Sequence, residues 1–275
     1  MTSPVQDSGW PRRFGTRLQL AIRQISRPAR GGVRRVAWRS IAIVGGCFLI
    51  VFVVMMAMFD VRAITAAREL PPGLIAATSI FTDLGKVGWF LIPLPVLMIV
   101  LCLVPTGLPR MAQGTLTAIF ARAAFVALAI GIPYGINIIL KTVIGRARPF
   151  VGGSANAYLY DPFAWGVAYA SFPSNHSSTA CAAAIAIGSL FPRARTVMWI
   201  YAVLIVISRV IVTAHHPSDV LAGALVGTMG AVMVRNYFAS RRIVFGVTPE
   251  GGVERFANPS WLRIKAATRA VFSRT

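Results

Sequence analysis

The chain has 275 residues, is 56% hydrophobic and only 13% charged, and its apolar residues come in long blocks. A soluble domain carries about 25% charged residues, so the composition excludes an ordinary soluble globular protein and places the chain in the membrane class. The net charge of +20 invites a nucleic-acid reading, but Arg and Lys gather in tails and alternate loops rather than on one folded face, which argues against a nucleic-acid partner.

Residues 1–39 form a basic tail with nine Arg. Within it Leu18, Ala21, Ile22 and Ile25 follow helical spacing, with Arg17 and Arg23 elsewhere on the turn. This predicts an amphipathic helix on an anionic inner leaflet, with a partner-binding arm as the alternative. The first apolar run starts only near Ser40 and is long enough to span, which argues against a cleavable signal peptide. Membrane spans are predicted near 40–59, 87–105, 116–140, 174–192, 196–213 and 217–235. The expected fold is therefore all-α: a polytopic membrane helical bundle of six transmembrane helices over residues 40–238. Residues 239–275 make a second basic tail, where Trp261, Ile264 and Val271 repeat the amphipathic pattern beside Arg263 and Lys265.

Cys47, Cys102 and Cys181 lie inside apolar runs and read as small buried hydrophobes with no pairing or metal spacing. Gly223 and Gly227, four apart in the last span, predict close helix packing. The basic residues of both tails, with Arg110, Arg193, Arg195, Arg235, Arg241 and Arg242, place both termini in the cytoplasm. Arg62, Arg68, Lys86, Lys141, Arg146, Arg148 and Arg209 then fall on the outer face.

Three polar segments share that face. Lys141 and Arg148 are seven apart, two helical turns, and can project together from one helix end as a clamp for an anion. Pro149 biases Arg148 out of the helix. Snorkelling at the interface is the plainer alternative, and Arg146 between them reads as an interface anchor or headgroup contact. Pro173-Ser174-Asn175-His176 opens the fourth span, with Ser174 as N-cap and free backbone N–H groups facing the same side. In the third segment Ser208-Arg209 precedes His215, and Asp219 follows three residues later. Pro217 suits a first helical position, so Asp219 falls in the first turn, where a carboxylate can hold one imidazole N–H of His215 and leave the other nitrogen free. A simple helix-start acid is the alternative. His216 is read as a bystander without a spaced carboxylate of its own.

Only Asp60, Glu69, Asp83, Asp161 and Asp219 face outward among the acids, with no close pair. No metal and no other cofactor is expected, since two-metal phosphoryl chemistry needs clustered ligands.

Together these segments resemble the type-2 phosphatidic acid phosphatase family, the lipid-phosphate branch of the superfamily shared with vanadium haloperoxidases. The pattern K-x6-R-P is intact at Lys141 to Pro149, and S-R-x5-H-x3-D is intact at Ser208 to Asp219. P-S-G-H departs once, with Asn175 for Gly. The resemblance runs from about Lys141 to Gly227. It implies that His215 attacks phosphorus to form a phosphohistidine, that Asp219 orients it, and that His176 protonates the leaving oxygen and then activates water. It further implies that Lys141, Arg148, Ser174, Asn175, Ser208, Arg209 and nearby backbone N–H groups hold the phosphate oxygens. Asn137 and Tyr134, one and two turns before Lys141, are expected to line the site, an interhelical hydrogen bond being the alternative for Asn137. The aromatic segment Phe150 to Phe172 is expected to form a lid at headgroup level, against the alternative of an ordinary interfacial loop.

The expected activity is metal-independent hydrolysis of a lipid phosphate monoester or pyrophosphate at the outer face. Phosphatidic acid, phosphatidylglycerol phosphate, undecaprenyl pyrophosphate and lipid A are candidate substrates, so the expected partners are a phospholipid or polyprenyl phosphate and the bilayer itself. Transfer to a second lipid, or a catalytically silent lipid-binding or transport protein, are the alternatives. The expected location is a bacterial inner membrane, with the site facing the periplasm or exterior.

Overall fold

The computed structural model describes residues 14–15, 18–19, 22–23, 25–33, 38–105 and 107–273. Of the amphipathic helix expected in the N-terminal tail, Leu18, Ile22, Arg23 and Ile25 are helical, while Arg17 and Ala21 lie outside the described residues. The elements are α1 (Trp38–Val54), a wide π-type turn at Met55–Phe59, α2 (Asp60–Arg68), α3 (Pro72–Thr82), a tight turn at Asp83–Gly85, α4 (Gly88–Leu91), α5 (Pro93–Leu103) and α6 (Arg110–Ile144). There follow α7 (Asn175–Leu190), α8 (Arg195–Ile211), α9 (Pro217–Ser240), strands β1 (Phe245–Val247) and β2 (Val253–Arg255), and α10 (Trp261–Phe272).

Among the described residues, five helical stretches are long and apolar enough to cross a membrane: Trp38–Arg68, Pro72–Leu103, Arg110–Ile144, Pro192–Ile211 and Pro217–Ser240. The second begins at Pro72 rather than near residue 87. Asp83 and Lys86 interrupt the apolar run and pair with each other at 2.8 Å at a tight turn, where Lys86 is extended before helix resumes at Gly88. The fourth expected span is α7, whose 16 residues reach about 24 Å, short of a hydrocarbon core of about 30 Å. Its composition suits a position among neighbours rather than lipid, since Ala180, Ala182, Ala183 and Ala186 are fully buried. The all-α expectation missed the β1–β2 hairpin, paired antiparallel with Gly246 opposite Glu254. Strands of three residues are too short to leave a period-two signature.

The chain divides into two compact units. One combines Ile92–Ala127 with Arg235–Thr275 and Met1–Arg34. In it Phe125 packs edge-on against Phe238 and Phe245, at ring separations of 5.5 and 4.9 Å. Arg122 donates to Asn258 Oδ1 and to the carbonyls of Phe256 and Ala257. Ala267 of α10 is buried with Leu101, Leu108, Ala112 and Leu116, while Trp261 and Leu262 of the same helix remain exposed.

The other unit combines Arg35–Leu91 with Leu128–Val234 and carries all three polar segments. Its core sits between α7 and α8, where Ala180, Cys181 and Ala184 meet Ala202 and Ile205. Helix α9 approaches α7 at backbone distance: a Cβ at Gly223 would collide with the Ser174 backbone, and one at Gly227 with that of Ser178. Close packing at these glycines is therefore as the sequence predicts, and it lies directly at the start of α7. Gly223→Ala is expected to displace that start and lower kcat by at least about tenfold, since sub-ångström placement governs such sites. Gly73→Ala, with nothing within 4 Å of its added carbon, should leave kcat unchanged in the same assay.

Candidate active site

The end of α6 supplies the first segment. Lys141 lies in its last turn, and its ammonium donates to the carbonyls of Ala170 and Ser171. Two of its three N–H groups are thus spent on fixing the loop, leaving one for a ligand. Arg148 follows the helix, with its backbone N–H on the Ala168 carbonyl and its Nε, buried, without an acceptor among the described residues.

The second segment behaves as its residue types dictate. Ser174 is the N-cap of α7, accepting from the N–H and hydroxyl of Ser177. Its own N–H donates to the Asp219 carbonyl at 3.0 Å, which joins the start of α7 to the first turn of α9. Asn175 Oδ1 and His176 Nε2 are buried without partners among the described residues. Gly85 sits against the His176 ring, which leaves no room for a side chain there.

In the third segment Ser208 Oγ donates to the Ile205 carbonyl and shares a second hydrogen bond with the Thr82 hydroxyl, so its own hydroxyl is engaged within the protein. Arg209 also donates to Thr82 Oγ1, at 3.0 Å, and keeps a buried Nε without an acceptor among the described residues. His215 is buried, its N–H on the Arg209 carbonyl and its Nδ1 without a hydrogen-bond partner among the described residues. Burial holds its pKa well below the usual 6.5, the charge of Lys141 adds to this, and Asp219 opposes it. The imidazole is therefore neutral at pH 7.

A stability consequence follows from the sign of that shift. Folding keeps His215 neutral, so protons bind the unfolded chain more readily once pH falls below 6.5. Stability is full above that pH and declines below it, by about 1.4 kcal/mol per pH unit from this group until its folded pKa is reached. Between pH 7 and 5 the apparent Tm of the wild type in detergent should drop more than that of His215→Gln.

Asp219 is where the structure departs from the sequence reading. His215 Nδ1 is 3.9 Å from Asp219 Oδ2, beyond a hydrogen bond. His216 is nearer: its Nδ1 lies 3.2 Å from the same oxygen, and its backbone N–H donates to it at 2.8 Å. The bystander expectation for His216 is thus corrected. With Pro217 first in α9, Asp219 is the third helical residue and reaches back to cap His216, a spacing of three that outcompetes the spacing of four to His215. Ser171 Oγ donates to Oδ2 as well, at 2.6 Å.

Arg146 is corrected too. It is 1% exposed, not an anchor at the membrane surface, and all five of its N–H groups are used. Nε and Nη2 reach the Ala157 carbonyl, Nη2 also reaches Asp60 Oδ2, and Nη1 reaches Ser218 Oγ and Asp219 Oδ1. Burial works against its charge, but Asp219 and Asp60 more than reverse this and raise its pKa. Asp60, Thr82, Ser171 and Ser218 are participants that the motif reading missed. For Asp60 a signal existed, a lone carboxylate at the edge of an apolar run.

Asn137 is fully buried with neither amide atom partnered among the described residues, and Tyr134 is half-buried. Of the loop that follows Arg148, Trp165 is 95% exposed and Tyr158, Phe163 and Val167 are exposed as well.

Residues 122–243 match the family model described as the PAP2 superfamily. A lipid A 1-phosphatase of Rhizobium etli is 29% identical over 206 residues, 74% of this chain and 88% of that protein. A decaprenylphosphoryl-5-phosphoribose phosphatase of Mycobacterium tuberculosis is 29% identical over 174 residues, 62% of this chain and 85% of that protein. The crystal structure of a PAP2-type phosphatidylglycerolphosphate phosphatase from Bacillus subtilis superposes with a TM-score of 0.46 and 20% identity, covering 70% of this chain and 94% of that one. With its apolar helices the chain is an integral membrane protein, and its residues 122–243, which hold the three ordered motifs, belong to the PAP2 superfamily, in which the curated relatives of this chain are lipid phosphate phosphatases.

Proposed function

We propose that this protein hydrolyses a phosphate monoester or pyrophosphate carried by a membrane lipid, at the outer face of a bacterial inner membrane, without a metal ion and through a phosphohistidine on His215. The observation that carries the reading is the setting of His215: a buried neutral imidazole in the electrostatic field of Lys141, Arg209 and Arg148, with Asp219 beside it. A neutral nucleophile among three cations suits attack on a dianionic phosphoryl group, whose transition state spreads charge over its equatorial oxygens.

In this mechanism an imidazole nitrogen of His215 bonds to phosphorus as the P–O bond to the lipid breaks. His176, which takes up a proton once the phosphate dianion lies against it, gives that proton to the departing oxygen, then takes one from the water that attacks the phosphohistidine and breaks the N–P bond. The remaining N–H of Lys141, the Nε groups of Arg148 and Arg209, which have no acceptor among the described residues, and the N–H groups at the start of α7 hold the oxygens. Asn175 stands beside them as a side chain where the family pattern has none. Ser208 acts through Thr82 on Arg209 rather than on phosphate. Asp219 supports the charge that develops on His215; such bonds are commonly long before substrate is present. Asn137 and Tyr134 line the floor beneath Lys141.

Phosphate release in detergent from phosphatidic acid, phosphatidylglycerol phosphate, undecaprenyl pyrophosphate and lipid A, with a chelator present, tests this reading. The wild type is expected to act on at least one of them. Activity that vanishes on chelation removes the metal-free mechanism, and silence on every lipid removes the enzyme.

A further inference from the structure

The region matched by the family model begins at residue 122, yet the site is also held from far outside it. Asp60 lies at the junction of α1 and α2, just after the π-type turn, where its N–H donates to the carbonyl of Met55 five residues back. Such an inserted turn shifts the register of everything after it and recurs at functional positions in helices. Asp60 is fully buried. Its Oδ1 accepts from the Ser218 N–H at 2.9 Å, and its Oδ2 accepts from Ser218 Oγ and from Arg146 Nη2. It therefore satisfies an orphan donor in the first turn of α9, two residues from His216 and adjacent to Asp219. It also takes one side of the guanidinium whose other side binds Asp219.

We propose that Asp60 is a positioning residue for phosphoryl transfer: by sharing Arg146 and fixing the first turn of α9, it sets the orientation and the residual negative charge of Asp219. This rests on the phosphatase reading above. With Asp60 present, the cation Arg146 is divided between two carboxylates and Asp219 keeps charge to offer the imidazoles. Without it, the whole of Arg146 falls to Asp219, and the carboxylate is both displaced and electrostatically spent. Other contacts of the stretch from α1 to α2 with this region, among them Phe52 on Phe172, Tyr160 Oη with Met56 Sδ and Arg68 over the Phe150 ring, align the helix but carry no charge to Asp219.

The test uses the full chain in detergent with whichever lipid phosphate the wild type hydrolyses. Asp60→Asn is expected to lower kcat about 10- to 100-fold with KM within about threefold. In an Asp219→Asn background it should cost less than threefold more, because both act through one carboxylate. Ser218→Ala, which removes the hydroxyl shared by Asp60 and Arg146, should lower kcat in the same direction by several-fold and show the same non-additivity. A kcat within twofold of wild type for Asp60→Asn overturns the proposal, as does a loss that multiplies in full with Asp219→Asn, the mark of a merely structural residue. If Asp60→Asn does not fold, Ser218→Ala decides by the same criteria. An active wild type with an unaffected Asp60→Asn sinks this inference alone; an inactive wild type sinks the phosphatase reading and this with it.

Discussion

His215→Ala is expected to lower kcat by roughly 10⁴-fold or more, the scale on which enzymes lose activity when a covalent nucleophile is removed. The size follows from the absence of a substitute. Its neighbour His216 is fully buried and turned to Asp219, with its ring nitrogen 3.2 Å from the carboxylate. His176 lies on another helix and serves as the proton carrier in the proposed mechanism. The cations would still bind the phosphate in the variant, so KM should move far less than kcat. His216→Ala, which strips one contact from Asp219 and leaves the proposed nucleophile in place, should cost only about tenfold. Phosphate release measures both, and acid-labile phosphate on the protein should appear during turnover of the wild type and disappear in His215→Ala. A His215→Ala protein that retains a tenth of wild-type kcat would end the phosphohistidine mechanism.

The contrast between the two histidines marks the limit of what spacing can say. The pattern of the three segments did bring Lys141, Arg148, Ser174, His176, Arg209, His215 and Asp219 into one compact unit, because each residue is tied to a helix end and helix ends are legible from Pro, Ser and the edges of apolar runs. Which imidazole Asp219 touches was not legible. That depends on whether the carboxylate caps its own helix or reaches one residue further, a choice set by fractions of an ångström. Partners across the bundle were less legible still. Asp60 and Arg146 are separated by 86 residues, and nothing in local periodicity joins them. Arg146 looked like one more basic residue at an interface, since snorkelling and full burial give the same sequence pattern. Its complete set of five donors, each matched by an acceptor, is a tertiary property. The same holds for the second span, where Asp83 and Lys86 broke the apolar run on paper and pair with each other in the fold.

Arg146→Met is expected to have the largest effect on stability, and Arg148→Met, two residues away, almost none. Arg146 is buried between Asp60 and Asp219, both of them fully buried. Methionine fills much of the volume but leaves two carboxylates without a counter-charge, along with the Ser218 hydroxyl and the Ala157 carbonyl that the guanidinium served. Breaking a buried ion pair from one side costs about 3–5 kcal/mol, which for a chain of this size lowers Tm by on the order of 10 °C. Arg146→Lys keeps the charge but offers three donors where five are used, and should fall between. Arg148, by contrast, is only half-buried and has a side-chain Nε without an acceptor among the described residues. Its loss removes a proposed ligand for phosphate rather than a strut, so Tm should stay within about 2 °C while kcat/KM falls at least tenfold. Thermal unfolding in detergent beside phosphate release separates the two. If Arg146→Met unfolds with wild-type Tm, the buried charge network is not what holds Asp219 in place, and the line of force from α1 through Arg146 to the candidate active site is lost.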